Sequence, residues 1–482
     1  MKIRELLVVL SLLVPAASVA QTAPDKTLSE SENELLKTAD EIAVSVGEFR
    51  GLKTLAPIKK GIKERSELRE VLLQKLNEGV SDDDIAAEGK VYKRLGLVPQ
   101  DLNYKEMLLD VLTEQIAGFY DQKTKELYVM RGIPMSLQRP AMAHELFHAI
   151  QDQHFSIDTL QAPFTALENG DYVLARGALI EGDATIVMID FALFESNGLE
   201  PGKSIVDNPM VAGMLKTMSF ENLSALESLG GAPPAAEEGE EAPTYEGSAL
   251  AKAPAVFREM LMFPYFAGMR FVVAARIGRT WKDVDAIYQN PPSSTEHILH
   301  PEKYFAGDEP TFLEFNADAA LPEHTKIYNT VMGEFMARLF FKEHLGDADE
   351  TFVNAAKGWG GDRLIAYEKD GKTITVQVTN FDSWKDAEEY RDALTMAVKK
   401  RFPEIKTNQI QGEYGEAYCF LNGDERIYVE RWGDLVLHIE GTPTDSASGR
   451  ELDETTSKIR EEVYSTLKRS KLSEEVARLK AK

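Results

Sequence analysis

Apolar positions recur at helical spacing early in the chain. Leu35, Leu36, Ala39, Ile42, Ala43 and Val46 fall on one helical face, and shorter amphipathic stretches follow around Leu68 to Leu76 and Ile85 to Leu95. They predict a helical region over residues 21–97. Another helix is expected from Tyr104 to Ile116. From Gly118 to Val129 two short aromatic and β-branched runs flank the polar stretch Gln122 to Lys125, which predicts a hairpin. Pro140 suits the first turn of a helix running through Ala141 to Ile150, and a second long helix, apolar almost all round, is expected from Asp171 to Phe194.

Past Gly371 the period shortens to two. Thr373 to Thr379, Glu416 to Leu421, Arg426 to Glu430 and Leu435 to Ile439 alternate as strands, with an amphipathic helix from Trp384 to Lys400 between them. The fold class is therefore α+β and helix-rich, with a change of composition after about Thr325. It divides into a leader (1–20), an N-terminal helical region (21–97), a core (98–325) and a C-terminal α+β domain (326–482). Residues 230–247, rich in Pro, Gly, Ala and Glu, have almost nothing to bury and read as a mobile acidic loop in the core. The run Gly358-Trp-Gly-Gly-Asp-Arg363 lacks the lysine of a phosphate loop, so a tight turn with Trp359 packed beneath and Asp362 paired to Arg363 is expected.

Charge narrows the partners. With 79 acidic and 54 basic residues in 482, the net charge is -25, which repels phosphate backbones and anionic lipid and excludes general nucleic-acid binding. Lys2 and Arg4, the apolar run from Leu6 to Val14 and the small residues before Gln21 predict a cleaved export signal, so the mature protein is expected in the periplasm or the medium without an integral membrane segment. Cys419 has no second cysteine to pair with and sits in a strand-like run, which predicts a buried, inert thiol.

Candidate chemistry centres on His144-Glu-Leu-Phe-His148. On a helix the two histidines share a face one turn apart and suit zinc, while Glu145, rotated about 100°, reaches a metal-bound water as general base. A catalytic zinc takes three protein ligands, and two third ligands are available. Glu181 lies on the next apolar helix, where it and Asp183 need a cation among Leu179, Ile180, Ile186 and Val187; Gly182 would let a neighbouring helix approach. His154 completes an H-E-x-x-H-x-x-x-x-x-H spacing, but Gln151 stands where the sharp turn normally needs glycine. Glu181 is preferred, with Gln151, Asp152 and His154 as supporting or helix-terminal groups. An oxyanion donor is sought in Tyr265 and in Ser294-Thr-Glu-His-Ile-Leu-His-Pro301: His300 first, then His297 and Tyr265. Alternatively Pro291 to Thr295 simply caps a helix carrying surface histidines. The hairpin strand Glu126 to Met130 is expected to offer an edge for an extended peptide.

Gly118 to Asp121, Leu127 to Val129, Ala143 to Gln153 and Glu181 to Ala184 resemble the gluzincin branch of the zincin metallopeptidases, in particular a group of exported bacterial proteins. The resemblance covers Leu95 to Tyr304 and implies a zincin-like core, His144, His148 and Glu181 as zinc ligands, and Glu145 as catalytic base. One departure is Thr185, which stands where gluzincins often place an aspartate that orients a histidine; Asp183 is the available substitute. The expected function is zinc-dependent hydrolysis of peptide or protein substrates by an exported metallopeptidase. Its rival is a catalytically degenerate zincin-fold protein that acts as a binding module in the envelope. The N-terminal helices are a further open case, as a prosegment that blocks the cleft.

Overall fold

In the computed structural model the described residues are 30–64, 67, 70–71, 73–74, 81–115, 118–131, 133, 135–160, 167–200, 202–217, 249–346, 351–411, 416–444 and 452–480. The expected signal (1–20), the acidic loop (230–247) and most of the Leu68 to Leu76 stretch lie outside them. The protein is a helix-rich α+β fold.

Helix α1 (Glu30–Arg50) leads to strand β1 (Lys59–Lys63), helices α2 (Asp82–Arg94) and α3 (Tyr104–Gln115), then the hairpin β2 (Gly118–Asp121) and β3 (Glu126–Met130). The long helices α4 (Met135–Phe155), α5 (Gly170–Glu195) and α6 (Ala255–Arg276) follow. α5 is apolar round its whole circumference because α1, α4 and α6 all pack on it. At the crossing with α6, a Cβ on Gly182 would lie 2.0 Å from the Gly268 carbonyl carbon, and one on Gly268 would lie 1.9 Å from the Ala178 oxygen. The expectation for Gly182 thus holds, and its counterpart is Gly268.

α4 begins a turn earlier than the sequence suggested, so Pro140 is internal. The added turn is anchored by Gln138, whose Nε2 donates to the Met130 carbonyl at 2.6 Å. β3 is the centre of a three-stranded sheet, paired in parallel with β1 and antiparallel with β2. The expected free edge at Glu126–Met130 is therefore occupied on both sides. The sequence hid this because Lys59-Lys-Gly-Ile-Lys63 has no alternating apolar face.

The second half starts with β4 (Thr311–Glu314), β5 (Thr325–Thr330) and α7 (Gly333–Leu345), and continues with β6 (Trp359–Lys369), β7 (Lys372–Phe381), α8 (Trp384–Arg401), β8 (Lys406–Gln411), β9 (Glu416–Asn422), β10 (Glu425–Trp432) and β11 (Leu435–Pro443). Seven of these strands form an antiparallel sheet in the order β5-β6-β7-β11-β10-β9-β8. Leu364, Ala366, Ile427 and Val429 share a core with Ala387, Leu394 and Val398 of α8. Ile365, Val376, Tyr428 and Cys419 pack on the other side with Ile459 and Val463 of α9 (Glu454–Thr466). Cys419 is fully buried, and burial raises its thiol pKa. Strand β12 (Lys468–Lys471) returns to pair with β4.

Two sequence expectations change here. Residues 359–363 open strand β6, and the turn precedes them at Lys357 and Gly358, the latter at φ +75°. Asp362 and Arg363 point to opposite faces, as neighbours on a strand must. Asp362 accepts from the Met332 and Gly333 amides, while Arg363 donates to the Leu313 and Leu167 carbonyls. Among the described residues of 21–97, the two helices pack against different partners. α1 joins α4 and α5 in one core. In contrast, α2 sits on the C-terminal sheet, where Arg94 binds Glu425 at 2.5 Å and Glu88 accepts from the Tyr328 hydroxyl.

On α5, buried Asp190 accepts from the Ile205 amide at 2.8 Å through Oδ1, and its Oδ2 has no hydrogen-bond partner among the described residues. Burial pushes its carboxyl up to about 7 from 3.8. The folded state thus holds a proton that the unfolded state releases, so Asp190 should erode stability as pH rises from about 4 to 7, with the loss complete above that. Asp190→Asn is expected to flatten this window, gaining on the order of 2–4 kcal/mol relative to the parent between pH 4.5 and 8. Urea unfolding midpoints of both proteins across that range check it; parallel curves would refute it.

Candidate metal centre

α4 and α5 lie side by side with their polar residues facing inward. His144, Glu145 and His148 come from one turn of α4 and Glu181 from the middle of α5; all four are at most 6 % exposed. His148 Nε2 is 2.9 Å from His144 Nε2, and Glu181 Oε2 is 3.0 Å from His144 Nε2 and 3.3 Å from His148 Nε2. A tetrahedral ion with bonds of about 2.0–2.1 Å separates its ligand atoms by about 3.3 Å. The three atoms thus form a slightly contracted face of such a site, and two imidazoles with one carboxylate are a donor set that suits zinc.

A carboxylate oxygen of Glu145 lies within 4.8 Å of ring nitrogens of both histidines. Glu145 Oε2 accepts from the Tyr120 amide of β2 at 2.7 Å, whereas Oε1 is buried without a hydrogen-bond partner among the described residues. Burial, with the Glu181 charge, raises the Glu145 carboxyl to about 8 although His148 and the Tyr120 amide oppose it. Burial and the neighbouring His148 lower His144 to about 4. For His148 burial works downward, but the Glu181 and Glu145 carboxylates outweigh it and raise the imidazole; for Glu181 burial works upward, and the two histidines outweigh it and lower the carboxyl. Before any ion binds, the cluster is thus knit together by its own charges.

Tyr265 of α6 joins the group. Its ring lies 5.8 Å from that of His144, and its buried hydroxyl has no hydrogen-bond partner among the described residues. Burial and the Glu181 and Glu145 charges raise its phenol well above the ordinary range. His300 lies elsewhere: its Nε2 is 3.0 Å from Glu334 Oε1 and 3.0 Å from Arg338 Nη2. His297 Nε2 contacts the Asp308 carbonyl at 3.0 Å, and Ser294 caps the helix Thr295–Leu299 through the His297 amide. The helix cap of the alternative is present, but His297 is buried at 4 % exposure and so is not a surface histidine, and neither histidine reaches the cluster. His154 is likewise outside, because α4 stays helical to Phe155 and directs its Nε2 to the Lys53 carbonyl at 2.8 Å.

Support behind His148 comes from Gln151, whose Oε1 is 2.7 Å from His148 Nδ1. Asp183 meets no histidine and no metal position; Arg50 of α1 satisfies it at 2.8 Å. Thr185, the departure noted in the sequence, donates to the Glu181 carbonyl at 2.7 Å. Sequence reasoning missed Arg50, the Tyr120 amide and Tyr288. A lone arginine at the end of an amphipathic helix carries no signal of burial, and a backbone amide carries none at all.

A family described as a domain of unknown function (DUF8575) matches residues 323–451, which span β5 to β11 and exclude the cluster. No curated protein and no solved structure matches the chain. No helix among the described residues is long and apolar enough to cross a membrane.

Proposed function

We propose that the chain is a zinc-dependent metallopeptidase, exported to the periplasm or the medium, with His144, His148 and Glu181 as metal ligands and Glu145 as general base. The convergence of three donor atoms at 2.9–3.3 Å from two adjacent buried helices carries the proposal. Zinc bound there would polarise a peptide carbonyl and acidify a water to a pKa of about 7. The chain's own residues supply the rest. The Tyr120 amide holds Glu145 by Oε2, which leaves Oε1 to take the proton from the attacking water and return it to the leaving amine. Tyr265, whose buried hydroxyl is directed at Glu181 beside the ligands and makes no close hydrogen bond among the described residues, is the oxyanion donor in place of His300.

The rival, an envelope binding module that holds metal without turnover, is favoured by one observation: His144, Glu145, Glu181 and Tyr265 are each at most 4 % exposed. Glu145→Gln separates the two. Assayed with a quenched-fluorescent peptide library and by metal analysis, the variant should keep one equivalent of zinc and lose cleavage by about 10²–10⁴-fold. A zinc-loaded parent with no cleavage, or a variant as active as the parent, would sink the peptidase proposal.

A further inference from the structure

We infer that Gln151, Tyr288 and Asp183, with Arg50 anchoring the carboxylate from the other side, form a hydrogen-bond relay that decides which nitrogen of His148 is presented to a metal, so that the N-terminal helix is part of the metal site. This rests on the metal reading above and goes beyond it, because the ligand set alone does not say how the imidazole is held.

Each direction in the relay is forced. Arg50 only donates, and its Nε and Nη2 reach Asp183 Oδ1 at 2.8 Å and Oδ2 at 3.2 Å, with a further ion pair to Asp285 at 2.8 Å. Asp183 Oδ2 is also 2.9 Å from the Tyr288 hydroxyl, which must spend its single proton on the carboxylate. The Tyr288 oxygen can then only accept from Gln151 Nε2, 2.8 Å away. The same Nε2 lies 3.0 Å from the Ile180 carbonyl, another pure acceptor. The Gln151 amide is therefore oriented twice over, with its oxygen 2.7 Å from His148 Nδ1. An amide oxygen cannot donate, so Nδ1 keeps a proton, and Nε2, which faces His144 and Glu181, is the nitrogen left to bind a metal once the metal displaces any proton there.

The relay is enclosed. Arg50, Asp183, Gln151 and Tyr288 are all at most 3 % exposed, Trp281 covers the guanidinium at 4.4 Å, and Phe155 stacks on Tyr288 at 4.0 Å. Reversing the amide would break two buried hydrogen bonds and set an NH₂ group against Nδ1, which stabilises the tautomer that cannot ligate through Nε2. These four are positioning residues. The relay also argues against a removable prosegment, because removing α1 takes Arg50 with it.

The test uses zinc alone, titrated against a chromogenic chelator, with the parent, Tyr288→Phe and Gln151→Met. Tyr288→Phe keeps the ring stack, and Gln151→Met keeps the volume. Both should weaken zinc binding by about 10–100-fold, while the melting curve of the metal-free protein stays within a few degrees of the parent. Long-range ¹H–¹⁵N spectra of the zinc-loaded parent should place the His148 proton on Nδ1. Variants that bind zinc as tightly as the parent, or a proton found elsewhere on His148, would overturn the relay and leave the metal reading intact. A parent that takes up no zinc would remove the metal reading and the relay together.

Discussion

Glu181→Gln is expected to abolish zinc uptake at the proposed site. The change keeps the volume and removes the carboxylate that lies within 3.3 Å of both imidazole nitrogens. Loss of a group that merely supports a ligand costs about 10–100-fold in metal affinity, so loss of a direct charged ligand should cost more, on the order of 10³-fold. The neutral amide also leaves the buried His148 imidazole without the nearby charge that raises it, so the variant's two histidines no longer attract a proton or a cation to the same degree. Metal analysis of protein dialysed against micromolar zinc reads the result directly. His154→Ala is the control: its side chain contacts the Lys53 carbonyl outside the cluster, and zinc content should not change. Zinc retained in Glu181→Gln but lost in His154→Ala would reverse the ligand assignment.

The largest expected loss of stability comes from Gly268→Ala. A methyl group there would sit 1.9 Å from the Ala178 carbonyl oxygen, which is helix backbone and cannot rotate aside. α5 and α6 would have to separate by more than an ångström along their crossing, opening the core that both helices fill. Overpacking of this kind costs about 1–3 kcal/mol where side chains can yield and more where only backbone is met, so about 3–5 kcal/mol is expected. At about 1 °C per kcal/mol for 482 residues, the melting temperature should fall by roughly 3–5 °C. Function should suffer beyond stability, because Tyr265 lies on α6 three residues before Gly268 and moves with it. An alanine variant that melts with the parent would show that the two helices have room to spare.

How much of this was written in the sequence depends on how local the cause is. The helix from Asp171 to Phe194 and four of the strands after Gly371 were legible, because an apolar run or an alternation marks a buried element, whereas β8 (Lys406–Gln411), a polar run at the sheet edge, was not. The H-E-x-x-H face and Glu181 were legible because a helix fixes which residues share a side and because a carboxylate in an apolar helix demands a partner. β1 was not, since Lys59 to Lys63 owe their extended form to β3. His300 was misplaced for a related reason: a histidine at the junction of two short helices looks equally available for catalysis or for an ion pair, and only Glu334 and Arg338, distant in sequence, decide it. Asp183 was read as needing zinc because Arg50, its actual counter-ion, lies 133 residues away.

The pairing of Lys468–Lys471 with Thr311–Glu314 sets a condition on how the chain matures. Contacts between segments so far apart form slowly, because the intervening loop must be ordered first. A chain synthesised from its N-terminus leaves β4 without its partner until residues 468–471 have emerged. During that interval the exposed ladder is a template for neighbouring chains, so yield under crowded expression should depend on a holding chaperone that shields this edge.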